Sequence, residues 1–299
     1  MSSPLVSIIT PTFNPKPFAR ETIDSVLIQT LANWEWIVVD DGSQTDVAPL
    51  FAVDPRIRVL SQHNSGQAIA RNLAMSQAQG QYFAFLDDDD LWNPDKLQKQ
   101  LQLLENHPEA PFCHTNFEMI DGDSRIFREG YGGVITTYCE LLTGCAICAS
   151  TVVARREACL RAGGFNFLVN ASEDFDLWLK MARDARAQSP FLALGEFLAS
   201  YRVHLGGTSR RYAALHRASR QILEQHLSLA RFEGDEEAVR AAREGLSNMR
   251  FNYGGQAWAQ FLSTRKEGSA ADARTHFLYA LRHAPKLTMR EIRRKFLKA

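Results

Sequence analysis

Short runs of apolar, often β-branched residues alternate with amphipathic segments through the first third of the chain. Val6-Ser7-Ile8-Ile9-Thr10 is such a run, stopped by Pro11, and predicts a buried strand. Over 19–30, Ile23, Val26, Leu27 and Thr30 fall at helical spacing. Trp36-Ile37-Val38-Val39 predicts a second buried strand, ending abruptly in Asp40-Asp41-Gly42-Ser43. A third strand over 57–60 precedes a loop at 63–66 and a helix reaching about Gln79, with Gly80 as its closing residue. Tyr82-Phe83-Ala84-Phe85-Leu86 predicts a fourth strand that runs straight into Asp87-Asp88-Asp89-Asp90.

Further on, 112–117 reads as a strand and Asp121-Gly122 as a turn. A helix is expected over 173–185, with Phe175, Leu177, Trp178 and Met181 turned inward. From about 211 the pattern is wholly helical. There Gly268, Ala273, Phe277, Ala280 and Pro285 match the second half of a tetratricopeptide unit, but no second copy accompanies it, so helices packed on the preceding domain are the expectation. Strands alternating with helices imply an open, largely parallel α/β sheet. In such sheets ligands sit beyond the carboxyl ends of the strands. The polar clusters at 11–14, 40–43 and 87–90 all fall at such ends, which makes that edge the expected active site.

Composition narrows the partners. The 299 residues are 45% hydrophobic and 23% charged, an ordinary globular balance, and 34 basic residues match 34 acidic ones. Zero net charge argues against nucleic-acid binding, which calls for a basic excess. The five cysteines (Cys113, Cys139, Cys145, Cys148, Cys159) are odd in number; Cys145-Ala-Ile-Cys148 has no partnering pair, so buried thiols and a reducing cytoplasm are expected. The N-terminus lacks a basic leader region, and no apolar run approaches the ~20 residues of a spanning helix. The last residues are basic. Lys286, Arg290, Arg293, Arg294, Lys295 and Lys298 accompany Leu287, Ile292, Phe296 and Leu297, which fits either an amphipathic helix resting on anionic lipid or a solvated terminal helix.

Four adjacent aspartates repel one another, and a divalent cation removes that penalty. Hard carboxylate oxygens suit Mg²⁺ or Mn²⁺, which often join one or two carboxylates to a substrate phosphate. Helix capping by Asp90 or Asn93 explains one acid of the run and not four. Asp40-Asp41 serves either as a turn or as an acceptor for a nucleobase or ribose. Glu173-Asp174 either complements a helix dipole or supplies a general base. His204, by itself, reads as structural.

In order along residues 5–210, these pieces resemble the inverting family-2 glycosyltransferases of GT-A fold. The resemblance rests on Ser7-Ile8-Ile9-Thr10-Pro11-Thr12-Phe13-Asn14, on Ser25-Val26-Leu27-Ile28-Gln29-Thr30 with Trp36 through Ser43, and on Asn64-Ser65-Gly66 with Ala70-Arg71-Asn72 and Gly80-Gln81-Tyr82. It continues through Phe85-Leu86-Asp87-Asp88-Asp89-Asp90 with Trp92 and Pro94-Asp95-Lys96-Leu97, then Gly163-Gly164-Phe165, Ser172-Glu173-Asp174-Phe175-Asp176-Leu177-Trp178-Leu179 and Tyr201-Arg202-Val203-His204. It implies a Rossmann-like mixed sheet flanked by helices, with a C-terminal helical extension: a donor half over 1–110, an acceptor half over 111–210 and helices over 211–299. Pro11, Phe13, Asn14 and Asp41 then line the nucleotide pocket, with Arg71 nearby. Asp87 and Asp88 hold ribose and diphosphate, Asp89 and His204 serve the Mn²⁺ or Mg²⁺, and Asp174 is the base. The implied substrates are a nucleotide-diphosphate sugar, UDP-linked donors being common, and a glycan or lipid-linked saccharide acceptor of surface polysaccharide or lipopolysaccharide assembly. The absence of G-x-G-x-x-G and of a P-loop discounts dinucleotide oxidoreductases and phosphoryl-transfer enzymes. The standing rival is a catalytically inactive glycosyltransferase-like protein that binds nucleotide sugar or glycan, or scaffolds other enzymes.

Overall fold

The computed structural model describes residues 3–128, 134–144, 147–169, 171–185, 190–204, 207, 211–267 and 270–296. Two compact units divide the chain: 1–141 with 145–206, and 142–144 with 207–299. Through the first unit run β1 (Val6–Thr12), α1 (Ala19–Leu27), β2 (Trp34–Asp40), α2 (Ala48–Phe51), β3 (Ile57–Ser61), α3 (Gln67–Gln77), β4 (Tyr82–Phe85), β5 (Leu91–Trp92), α4 (Lys96–Glu105), β6 (Phe112–Ile120) and β7 (Ile126–Arg128). They are followed by α5 (Tyr138–Thr143), β8 (Val153–Arg155), α6 (Arg156–Arg161), α7 (Glu173–Ala185) and β9 (Leu192–Arg202).

The described strands form one sheet in the order β3-β2-β1-β4-β8-β6-β9-β5, with β7 paired to β6. β3, β2, β1 and β4 run parallel, whereas β8 is antiparallel to both β4 and β6. The sheet is therefore mixed rather than largely parallel, because the chain enters β8 from a different direction than a helical crossover would impose. All seven residues of β1 are buried, as a strand covered on both faces requires. The order reverses at β1 and β4, which opens a crevice beyond their carboxyl ends.

Several sequence expectations are corrected here. Pro11 does not stop β1; the strand continues to Thr12 because beyond Ile9 it is paired to β2 only, where a missing N–H is tolerated. Helix α1 ends at Leu27, since Gln29 and Thr30 bond instead to the 93–97 segment: Gln29 Nε2 donates to the Asn93 carbonyl at 2.8 Å and the Thr30 N–H to the Pro94 carbonyl at 3.0 Å. Gly80 does not cap α3, which ends at Gln77 with Ala78 extended. Its hydrogen is needed elsewhere: a Cβ at position 80 would lie 2.6 Å from the Ser7 nitrogen, against which the backbone packs.

One face of the sheet carries an aromatic layer that fixes α7. Trp178 lies against Phe85 and Phe112, with ring centroids 5.3 and 5.7 Å apart, and Phe112 stacks on Phe191 at 4.5 Å. Phe175, Leu177, Trp178 and Met181 are all buried, as their spacing predicts. Anchoring Trp178 beside Phe85 leaves the first turn of α7, with Glu173 and Asp174, at the carboxyl end of β4. One helical turn spans ~5.4 Å.

The second unit is built from α8 (Tyr212–Glu233), α9 (Glu236–Glu267), α10 (Ala270–His283) and α11 (Pro285–Phe296). Gly234 in the left-handed conformation ends α8, and Asp235 Oδ1 accepts the Ala238 N–H to start α9. Tyr212, Ala257, Trp258 and Ala280 form its core, joined by Phe277 and Ile292. Gly268 lies outside the described residues. In α11 Thr288 is buried and Ile292 packs on that core, so part of the apolar face is used within the unit. Leu297 and Lys298 lie outside the described residues, as do the side chains of Arg293, Arg294, Lys295 and Phe296.

Candidate active site

Three strand ends supply the first side chains. Pro11 is buried in β1, while Phe13 beyond it stands at the rim, 51% exposed. Asn14 adopts φ 48°, a left-handed conformation that Asn tolerates. Its N–H donates to Ser43 Oγ at 2.7 Å and its Oδ1 accepts the Gln44 N–H at 2.9 Å, stitching the loops after β1 and β2 together. Asp41 is buried, and its Oδ1 accepts Gln62 Nε2 and the Ser65 N–H, both at 2.7 Å, while Oδ2 accepts the Gly66 N–H at 2.8 Å. A carboxylate has about four acceptor directions, so one remains for a ligand.

The aspartate run divides its work among four environments. Asp87 Oδ1 accepts Arg71 Nη2 at 2.6 Å. Thr12 Oγ1 donates to Asp88 Oδ2 at 2.5 Å, yet burial and the neighbouring Asp89 push the Asp88 carboxyl up to about 7. Asp89 Oδ2 meets His204 Nε2 at 2.8 Å; burial and Asp87 raise its carboxyl, and the histidine opposes them. Asp90 is fully buried, and burial, with Asp89 and Asp87, holds its carboxyl well above the usual range.

The disfavoured capping alternative for Asp90 and Asn93 falls away: α4 starts at Lys96, after Asp95, with no side-chain cap. Asp90 faces inward to Ser150 Oγ, Cys148 Sγ and the Arg202 N–H, and Asn93 Oδ1 accepts the Asp95 N–H. Cys148, expected as a buried thiol, is partly buried, and Cys145 lies outside the described residues.

Arg71 links the run to α7. Its guanidinium, 3% exposed, donates from Nη2 to Asp87 and from Nη1 to Glu173 Oε1 at 2.7 Å, and packs 5.2 Å from the Phe165 ring centre. Burial works against its charge, but Asp87 and Glu173 outweigh burial and raise its pKa. Asn72, the next residue, holds Phe165 from both sides: Nδ2 donates to its carbonyl at 2.8 Å, and Oδ1 accepts its N–H at 2.9 Å. Asp174, partly exposed beside Glu173, accepts the Phe175 N–H at 2.8 Å. Burial and Glu173 push its carboxyl up to about 7 against the pull of Arg71.

Thus residues scattered over 134 positions meet at the carboxyl edge of the sheet, Arg71 pairing with Asp87 and Glu173 and His204 with Asp89. Sequence reasoning missed Thr12, Ser150 and Arg202 as members of this edge. Thr12 and Arg202 lie inside recognised motifs, whereas Ser150 carries no local signal.

A mixed sheet with a carboxylate cluster at this crevice defines the GT-A class of sugar-nucleotide-transferase folds, and solved structures share it. S. aureus TarS 1-349 in complex with UDP superposes with a TM-score of 0.65 at 17% identity, covering 95% of this chain and 82% of that one. Mannosyltransferase PcManGT from Pyrobaculum calidifontis, in complex with GDP-Man and Mn²⁺, gives 0.61 at 17% identity, over 100% and 89%. The chain belongs to glycosyl transferase family 2, whose model matches residues 7–159. Its relatives include "Putative teichuronic acid biosynthesis glycosyltransferase TuaG" of Bacillus subtilis, 35% identical over 67% of this chain and 79% of that one. Another is the UDP-Glc:alpha-D-GlcNAc-diphosphoundecaprenol beta-1,3-glucosyltransferase WfgD of Escherichia coli, 38% identical over 62% and 72%. An uncharacterized glycosyltransferase of Rickettsia felis is 35% identical over 59% of this chain, which spans only 30% of that protein.

Proposed function

We propose that this protein is an inverting, metal-dependent glycosyltransferase that moves a sugar from a UDP-linked donor to a hydroxyl of a surface-polysaccharide precursor. The observation that carries the reading is the Arg71 bridge, which brings Asp87 of the run and Glu173-Asp174 of α7 to one place. Residues 1–110 form the donor half, 111–210 the acceptor half and 211–299 a helical extension. Pro11, Phe13, Asn14 and Asp41 bound the nucleobase side; Asp87 and Asp88 face ribose and diphosphate.

The residues fit a Mn²⁺ or Mg²⁺ shared with substrate. Asp89 and His204 are already in contact, and the raised carboxyls of Asp88 and Asp89 mark a shortage of positive charge. No group of three His, Cys, Asp or Glu side chains that would suit a metal ion occurs among the described residues, so a cation held by Asp89 and His204 would need substrate oxygens as further ligands. When bound, the cation neutralises charge on the departing nucleoside diphosphate. Asp174 takes the acceptor proton as its oxygen attacks the anomeric carbon from the opposite face, and a single displacement inverts configuration. Arg71 favours the ionised base electrostatically.

The relatives support the setting. WfgD is named for a diphosphoundecaprenol-linked acceptor and TuaG for teichuronic acid biosynthesis, which supports a lipid-linked saccharide as the acceptor class. No described helix is long and apolar enough to cross a membrane. Contact with anionic lipid runs instead through the basic face of α11, where Lys286 and Arg290 are exposed. Equal liposome flotation of the whole chain and a truncation at Pro285 would remove that element. The central test is Asp174→Asn, expected to bind UDP yet lose transfer from UDP-sugars with Mn²⁺ and a panel of lipid-linked acceptors. Full transfer by that variant would sink the assignment of the base.

A further inference from the structure

Asp90 and Arg202 have no direct role in the proposed chemistry, yet both are fully buried at its edge. Arg202 uses its guanidinium on four partners: Nε donates to the Asp89 carbonyl at 2.8 Å, Nη1 to the Asp121 carbonyl at 3.1 Å and Ser124 Oγ at 2.9 Å, and Nη2 to Glu21 at 3.0 Å. Its main-chain N–H donates to Asp90 Oδ1 at 2.9 Å. The other oxygen of Asp90 accepts Ser150 Oγ at 2.5 Å, and that same Oγ accepts the Asp87 N–H at 3.1 Å. Phe18 covers the assembly, with Arg202 4.6 Å above its ring and His204 5.5 Å from it.

We infer that Arg202, Asp90 and Ser150 form a positioning brace that holds Asp89 and His204 together as the pair that would take a divalent cation. The inference rests on the reading of that pair as metal ligands. The brace acts on main chain at both ends. The Asp89 peptide is held through its carbonyl, and the chain leading to His204 is held two residues earlier, at the end of β9, through the Arg202 N–H. Between them the chain from Asp89 to Asp90 closes a hydrogen-bonded cycle from which solvent is excluded, so few other arrangements compete with it. Ser150 adds the Asp87 peptide to the same unit. Ligands fixed in this way lose little freedom when an ion arrives, which is why groups behind a metal site affect affinity without touching the metal. The pairing of β5 with β9, Leu91 opposite Ser200 and Trp92 opposite Ala199, joins the same two segments independently. Removing the brace therefore loosens the ligand pair without opening the sheet.

The test is Mn²⁺ titration followed by electron paramagnetic resonance of the free ion, on the whole chain saturated with UDP. UDP calorimetry in EDTA and a thermal melt report folding. Asp90→Ala should weaken Mn²⁺ binding by about tenfold or more, the scale found for groups behind metal ligands. Asp90→Asn keeps an acceptor for the Arg202 N–H and a polar contact to Ser150, and should recover affinity to within about threefold on that scale. Glu21→Gln, altering the half-exposed end of the Arg202 network, should leave it within about twofold. A folded Asp90→Ala with unaltered Mn²⁺ affinity, beside an Asp89→Ala that has lost it, overturns the brace and leaves the metal pair standing. If Asp90→Ala does not fold, unaltered affinity in Ser150→Ala overturns it equally. Should Asp89→Ala itself bind Mn²⁺ as the unaltered chain does, the metal reading falls and the brace with it.

Discussion

Two acidic strand ends look alike in sequence and differ in physics. Behind β2, the Asp41 carboxylate is met by two backbone N–H groups and one side-chain amide, all neutral dipoles brought by the 62–66 loop. Behind β4, Arg71 meets Asp87 and His204 meets Asp89, while Asp88 and Asp90 take neutral donors from Thr12, Ser150 and the Arg202 N–H, and burial raises the carboxyls of Asp88, Asp89 and Asp90. The first cluster has three of its about four acceptor directions filled within the chain. The second holds buried like charges that its neutral donors offset only in part, and that imbalance rather than the number of acids sets it apart from the first. An aspartate pair at a strand end is therefore ambiguous until its donors are counted.

The comparison breaks or sharpens on variants with opposite signs. Asp89→Ala should lower turnover by about a thousandfold, matching several kcal/mol of lost charge stabilisation. Its melting temperature should hold or rise, because like-charge repulsion is relieved; sugar-nucleotide turnover and calorimetry measure the two. Asp174→Asn should lower turnover by about a hundredfold or more, the usual contribution of a general base, with UDP affinity kept.

The pH profile tests the same base. Burial and Glu173 push Asp174 up to about 7, and the base works only when deprotonated, so kcat/KM should rise with pH and level off above that value. Glu173→Gln removes the neighbouring acid that raises it and should move the acid limb downward. A limb that stays put would detach Asp174 from the profile.

Asp41→Ala should act chiefly on stability. It leaves Gln62 Nε2 and the Ser65 and Gly66 N–H groups without their acceptor, a loss of about 3 kcal/mol at roughly 1 for each of the three hydrogen bonds. Thermal melting should fall by about 5–10 °C, the reverse of Asp89→Ala. A stable Asp41→Ala would show that the loop's donors find water. The smallest effect is expected for Phe13→Ala: at 51% exposure its loss should leave melting unchanged and raise the donor KM by a few-fold, as one lost stacking face does.

Much of the edge was legible because its cues are local. The β-branched runs over Val6–Thr10 and Trp36–Val39, and the aromatic run Tyr82–Leu86, end in polar residues, so the strands and their mouths could be placed before any contact was known. The inward face of α7 followed from spacing alone. The failures share a cause. Pro11 looked like a stop because its tolerance depends on how far β4 extends, and Gly80 looked like a cap because its real constraint is Ser7, 73 positions earlier. Asp90 could pass for a helix cap because its partners, Ser150 before β8 and Arg202 at the end of β9, are brought by segments that no local pattern announces.

The sequence by itself determined the alternation of strand and helix, the family and the acidic character of three strand ends, since these rest on periodicity and residue type. Tertiary structure decided which acids are already satisfied and which are not. It set Arg71 between Asp87 and Glu173, closed His204 on Asp89 and buried Asp90 behind both. Electrostatic balance at a site is a sum over neighbours in space, and those neighbours are chosen by sheet order and helix anchoring, which a one-dimensional pattern does not contain.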